Sequence, residues 1–360
     1  MTPLEIVDIG ACHRLLLRLA GLIGDDVLTE ARFWLDAGAL PEFSGAVVFA
    51  ATAARVPVTP KDAALLRSLL PDVRAADSLH EAAVMPVAPF AFAPVPPEQL
   101  ELVAERLPYC LDLTGGYDGP GRADEMDVAV ARAVADLEHV TPVAVWRAWR
   151  YPATGVSWPA PRRIYLVEVG GADDADLPEV TAVLQSVLEQ VGEATPQVEA
   201  FNDAGSLPPL QRTALSYSAL VWASSPPALV RIAALFDERT TDGQGAFHPL
   251  HRRLADDEAE RAAGYLAAGT PLLAVPHRAA DVLDPRAGPS VPMGYRTDGR
   301  WIWTDATVYY LARYGLAPEE DLLRHIADAG HAPPPVGSVA LHRALGALYD
   351  LPTWAAAGPR

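Results

Sequence analysis

Histidine pairs and clustered carboxylates are the side chains that bind metals or move protons, and this chain brings both together at one place. His248-Pro249-Leu250-His251 is followed closely by Asp256 and Asp257. Two histidines three apart share a metal when a helix holds them on one face. Pro249 lies between them and argues against a helix, so the spacing reads as a loop leading into an acidic helix start. No metal and no cofactor are expected. Nucleophilic chemistry has little to build on. The chain has no Gly-x-Ser-x-Gly elbow, and Cys12 and Cys110 sit among Leu15, Leu16, Tyr109 and Leu111, where they read as small core residues. Gly115 to Gly121 is glycine-rich, but it holds Asp118 and no lysine, the wrong charge to cradle a phosphate. The acid pairs Asp25-Asp26, Asp173-Asp174, Asp256-Asp257 and Glu319-Glu320 each stand at or just before an expected helix start. Complementing the helix dipole is enough to account for them.

Two arginine-aromatic stretches remain. In Trp146-Arg147-Ala148-Trp149-Arg150-Tyr151, strand alternation puts Val143, Val145, Arg147, Trp149 and Tyr151 on one side and Trp146, Ala148 and Arg150 on the other. Arginine beside tryptophan can stack on a base or recognise an acid. The surrounding segment is acidic, which favours arginines that cover aromatics and pair with nearby carboxylates. The second stretch runs from Val291 to Ile326. With Asp298-Gly299 as a two-residue turn, Thr297 faces Arg300, Arg296 faces Trp301, Tyr295 faces Ile302 and Gly294 faces Trp303. Arg296 then lies beside Trp301, and Trp303 covers the bare backbone at Gly294. Tryptophans are usually core, yet an aromatic-arginine patch is also the composition of binding hot spots. The pattern predicts Trp303 as core and the Trp301–Arg296 pair as partly exposed. Tyr295, Arg296, Asp298, Arg300 and Trp301 are therefore the candidate partner-binding residues.

The residues Gly294-Tyr295-Arg296-Thr297-Asp298-Gly299-Arg300-Trp301-Ile302-Trp303, Tyr309-Tyr310-Leu311 and Tyr314-Gly315 also carry a resemblance. The stretch resembles a segment of uncharacterised proteins of high-GC bacteria, encoded near or fused to secreted polymorphic-toxin domains. It covers a small part of the chain, and the family supplies no catalytic residues to carry over. What it implies is a soluble accessory or immunity-like role.

The elements that must position these residues fall into three groups. Residues 1–95 read as a helical bundle: one helix capped at Asp25 or Asp26, a buried one over Phe43 to Ala54, and one begun by Thr59-Pro60. The proline-rich run Met85 to Gln99 reads as a linker or an extended crossing segment. Residues 96–235 read as an acidic α+β unit, with strands at Val143 to Tyr151, Ile164 to Val169, Val198 to Phe201 and Ala219 to Ala223. The helix Asp176 to Glu193 between them has apolar residues at helical spacing and a capping box of Asp176 and Glu179. Residues 236–360 read as a hairpin-helix unit, with helices at Asp256 to Ala268, Asp305 to Tyr314, Pro318 to Ala329 and Ser338 to Tyr349. The fold class is α+β.

Composition bounds the function. The chain has 360 residues, 46 acidic and 28 basic, for a net charge of −18, so nucleic acid is an unfavourable partner and a basic protein a favourable one. All basic residues but Lys61 are arginine. The N-terminal stretch carries Glu5, Asp8, Arg14 and Arg18, unlike a signal peptide, and the longest uncharged run, Thr213 to Val230, contains Pro226-Pro227. No membrane association and a cytoplasmic location are expected, and the oligomeric state stays open. The expected function is non-enzymatic protein binding, as an immunity or accessory factor for a toxin. Two alternatives stand beside it: a hydrolase or nucleotide-acting enzyme built on His248, Asp256, Arg296 and Asp298, and a structural or assembly component.

Overall fold

A computed structural model describes residues 8–103, 105–106, 108–152, 159–240 and 244–350. The class is α+β, and the chain divides into two compact units, Met1–Pro226 and Pro227–Arg360, where three had been expected. Among the described residues no helix is long and apolar enough to cross a membrane.

The N-terminal unit opens with α1 (Ile9–Leu19), α2 (Asp25–Asp36), α3 (Leu40–Ala53) and α4 (Pro60–Leu69). Each start has a local cause. Asp8 accepts the Ala11 amide at 2.7 Å, and Thr59 accepts the Asp62 amide with Pro60 in the first turn, where a missing N–H costs nothing. The expectation that α3 is buried all round fails: Phe43, Val47 and Ala51 face inward, but Phe49 is 73% exposed.

A six-stranded sheet follows, made of β1 (Phe90–Ala93), β2 (Leu111–Asp112), β3 (Thr141–Pro152), β4 (Arg162–Gly170), β5 (Val198–Phe201) and β6 (Ala219–Ala223). Its order is β2-β6-β3-β4-β5, and β1 pairs with the far end of β3. The proline-rich run thus becomes a crossing segment that contributes an edge strand. Tyr165, Val167 and Val169 of β4 bury one sheet face against α5 (Glu125–Ala135) and α6 (Leu177–Gln190). The α5 start has the reciprocal capping box, formed by Asp124 and Asp127. The one expected at Asp176 and Glu179 is absent, because Asp176 accepts the Asp173 amide instead.

The helices and the sheet form one unit because β5 is an edge strand whose outward groups need partners. His13 of α1 bonds the Ala200 carbonyl at 2.9 Å, and Thr29 of α2 donates to the Pro196 carbonyl at 3.0 Å. Arg32 of α2, only 2% exposed, pairs with the equally buried Glu199 at 2.5 Å. Gln211 of α7 (Pro209–Ser216) donates to both Leu17 O and Glu199. Removing one partner of such a buried pair costs about 3–5 kcal/mol, so these bonds lock the bundle to the sheet.

The arginines of β3 behave as cover and anchors. Arg147 pairs with buried Asp127 and reaches the carbonyls of Pro94, Gly121 and Arg122. Arg150 lies over Phe90 at 4.6 Å and pairs with Asp25, while Arg163 of β4 lies over Trp149 at 4.9 Å.

The second unit begins with β7 (Arg231–Ile232), β8 (Glu238–Arg239) and β9 (Gly245–Ala246). After α8 (Asp256–Ala268) come β10 (Thr270–Leu273), β11 (Arg278–Ala280), β12 (Pro289–Pro292), β13 (Tyr295–Thr297) and β14 (Trp301–Thr304). Three helices close the unit: α9 (Asp305–Tyr314), α10 (Glu320–Asp328) and α11 (Ser338–Tyr349). The main sheet has the order β10-β13-β14-β7. On one face Trp301 and Trp303 pack with Tyr265, Leu266, Leu311, Leu322 and Ile326. On the other, Ile302 and Tyr295 pack with Ala344 and Leu348 of α11. Alternation along β14 thus serves two cores at once.

Candidate functional site

The hairpin is a four-residue loop, not the two-residue turn expected. Arg296 faces Trp303 and Thr297 faces Ile302, two residues out of the expected register. The cause is side-chain hydrogen bonding within the loop. Asp298 accepts the amides of Arg300 at 2.9 Å and Trp301 at 2.8 Å, and Thr297 donates to the Trp301 carbonyl at 2.7 Å. Gly299 supplies the positive φ of +88° that the loop requires.

A shift of two keeps every side chain on its face, so alternation survives while partners change. Trp301 is 5% exposed and Trp303 fully buried. Arg231, not Arg296, lies over Trp301, at 5.1 Å. Arg296 bonds Asp305 at 2.6 Å and the carbonyls of Ala267 and Gly269 at 3.0 Å. Trp303 covers Gly269 rather than Gly294; a Cβ at Gly269 would stand 2.2 Å from the indole. Of the five candidate partner-binding residues only Arg300 is exposed; Tyr295 and Arg296 are half-buried, and Asp298 and Trp301 are buried. The aromatic patch is therefore core.

Asp298 has a different neighbourhood from the one the enzyme alternative assigns it. Its second oxygen accepts from Tyr265 and from His325 Nε2, both at 2.7 Å. Burial alone would raise this carboxyl, but the bonds from Tyr265, Trp301, Arg300 and His325 outweigh it and hold it below the usual range. His248 instead accepts the Leu250 amide, Asp256 lies in the first turn of α8, and Arg296 bonds Asp305. His248, Arg296 and Asp298 thus have separate partners, and Asp256 serves the start of α8. His251 bonds Asp237 at 2.7 Å and the Ala317 carbonyl at 2.9 Å, which engages both ring nitrogens. Among the described residues no group of three or more His, Cys, Asp or Glu side chains could hold a metal. Cys12 is fully buried, and burial, reinforced by Asp8, pushes its thiol up to about 12.

Sequence reasoning passed over a cavity of about 390 Å³ in the N-terminal unit. It lies between α1, the segment 83–88 and the turn that leads into α7. Leu17, Leu177, Phe201, Leu207 and Leu210 make its wall apolar. Polar groups enter it from α1, whose His13, Arg14 and Arg18 all line it. Arg14 and Arg18 stand four residues apart and so share one face of the helix, with His13 a residue further round it. Arg14 pairs with Asp174, and Arg18 Nη2 pairs with Asp62 at 2.5 Å. Asn202 donates to Asp174 and to the Ala172 carbonyl, both at 2.9 Å.

His13 is held neutral. Burial is the dominant cause; the bond to Ala200 opposes it, Arg32 adds to it, and the outcome is a pKa pushed down to about 4. Its Nε2 therefore carries the proton donated to Ala200 O, and Nδ1 is left as an acceptor. The sequence signal for the site was present: two arginines and a histidine within an otherwise apolar helix. Compared with models of protein families, with curated proteins and with solved structures, the chain matches none.

Proposed function

We propose that the protein is a non-enzymatic binding protein whose N-terminal unit holds a small, largely apolar molecule in the cavity beside α1. The observation that carries this reading is the cavity itself: about 390 Å³, walled largely by apolar side chains, with polar groups from α1 and from Thr59, Asp174, Asn202 and Ser206 among them. Ligand sites in proteins have this size and this balance. The polar clusters of the second unit support a structural role for that half, because the carboxylates of Asp298 and Asp281 are engaged by internal donors.

The test is calorimetric titration of the full chain with butylbenzene and with butyrophenone. One molecule per chain is expected, with a dissociation constant on the order of 100 μM or tighter for a ligand of that size. No heat and no rise in melting temperature with either compound would overturn the reading. A second reading, association with a basic protein in an accessory or immunity-like role, is supported by the net charge of −18.

A further inference from the structure

One wall of the cavity is a single stretch of chain. Every residue from Ala83 to Ala88 lines it, and all are apolar: Val84, Met85, Pro86 and Val87 between two alanines. The stretch is pinned at both ends. Before it, the Ala82 amide bonds the Val58 carbonyl at 2.9 Å, and Val58 bridges Glu81. At its far end Ala88 is buried beside Gly21, where an added Cβ would stand 3.2 Å from that of Ala88. Phe90 then opens β1, which pairs with β3. Between these anchors, among the described residues, no hydrogen bond reaches Ala83 to Val87. Pro86 and Pro89 lack an N–H, and β1 does not extend back through them.

Val84 and Val87 stand where the cavity meets solvent: both line it, yet they are 80% and 60% exposed. Apolar side chains gain by leaving water, and an apolar molecule in the cavity offers them a surface on which to do so. Moving onto that surface breaks no hydrogen bond of the stretch, so it needs none of the unfolding that a strand or helix would. The anchors at Ala82 and Ala88 confine the movement to the five residues between them. Resting on the binding reading above, we propose that residues 83–87 form a strap that closes over the bound molecule, with Val84 and Val87 as ligand-contacting side chains.

Cys12 and Cys110 are both buried, so a thiol placed on the strap reports on the strap alone. The experiment labels full-length Val84→Cys and Val87→Cys with iodoacetamide. Each is labelled with and without butylbenzene or butyrophenone, at a concentration that calorimetry shows to saturate that variant. Closure should slow labelling at both positions at least tenfold. Labelling of the saturated variants at the ligand-free rate overturns the strap and leaves the cavity a ligand site with a fixed rim. Hydrogen exchange of the wild type makes the same measurement without a substitution. The amides of Val84, Met85 and Val87 donate no hydrogen bond and should exchange quickly in the ligand-free protein; saturating ligand should slow them at least tenfold. Unchanged exchange at these amides overturns the strap in the same way. A wild type that binds neither compound overturns the binding reading and the strap with it. If either cysteine variant fails to fold or to bind, the wild-type exchange decides.

Discussion

His13 shows at the scale of one residue how burial turns into a measurable property. The folded ring sits near 4, whereas an unfolded histidine sits near about 6.5. Between those values the unfolded chain takes up a proton that the folded chain refuses. The contribution of His13 is therefore fully present above about pH 6.5 and is lost as the pH falls toward 4, on the order of 3 kcal/mol in all. Denaturant melts of wild type and His13→Gln across pH 4 to 7 should show that much less loss in the variant; parallel curves would contradict a neutral buried ring. The residue was visible in the sequence only as a polar position in an apolar helix. Its role was not, because the Ala200 carbonyl lies 187 positions away. Asp298 makes the same point: its turn was legible, whereas its bond to His325 depends on how α10 packs.

At the scale of elements the sequence was far more explicit. Apolar spacing located α6, start and stop signals located the helices of the second unit, and β-branched and aromatic runs located β3, β4 and β5. The hairpin register was misjudged because Asp298 and Thr297 bond the loop backbone, a competition that alternation cannot reveal. The consequence for stability is direct. Trp303 is fully buried and donates its indole N–H to the Leu266 carbonyl at 3.0 Å. Trp303→Ala should cost about 3–5 kcal/mol. Gly269→Ala adds a methyl where the indole already stands and should cost about 1–3 kcal/mol. Thermal melts of both variants check this. A Gly269→Ala protein as stable as wild type would mean that the indole does not press on that backbone.

At the scale of the whole chain, charge and packing divide the work unevenly. Residues 1–226 carry 30 acidic and 15 basic residues, whereas 227–360 carry 16 and 13. The composition shift near residue 95 suggested a boundary there, but the bonds from α1 and α2 to β5 join the two sides. Sequence pattern reports local periodicity, and these bonds connect positions more than 160 residues apart. The cavity depends on the same long-range packing, which is why no motif announced it. The proposed ligand site belongs to the first unit alone, and hydrogen exchange of the full chain with and without saturating butyrophenone tests that most directly. Bound ligand should slow exchange in α1, in the segment 83–88 and around Leu207 and Leu210, with no change across 227–350. Slowing centred on the hairpin at 295–304, or equal exchange everywhere at saturation, would contradict it.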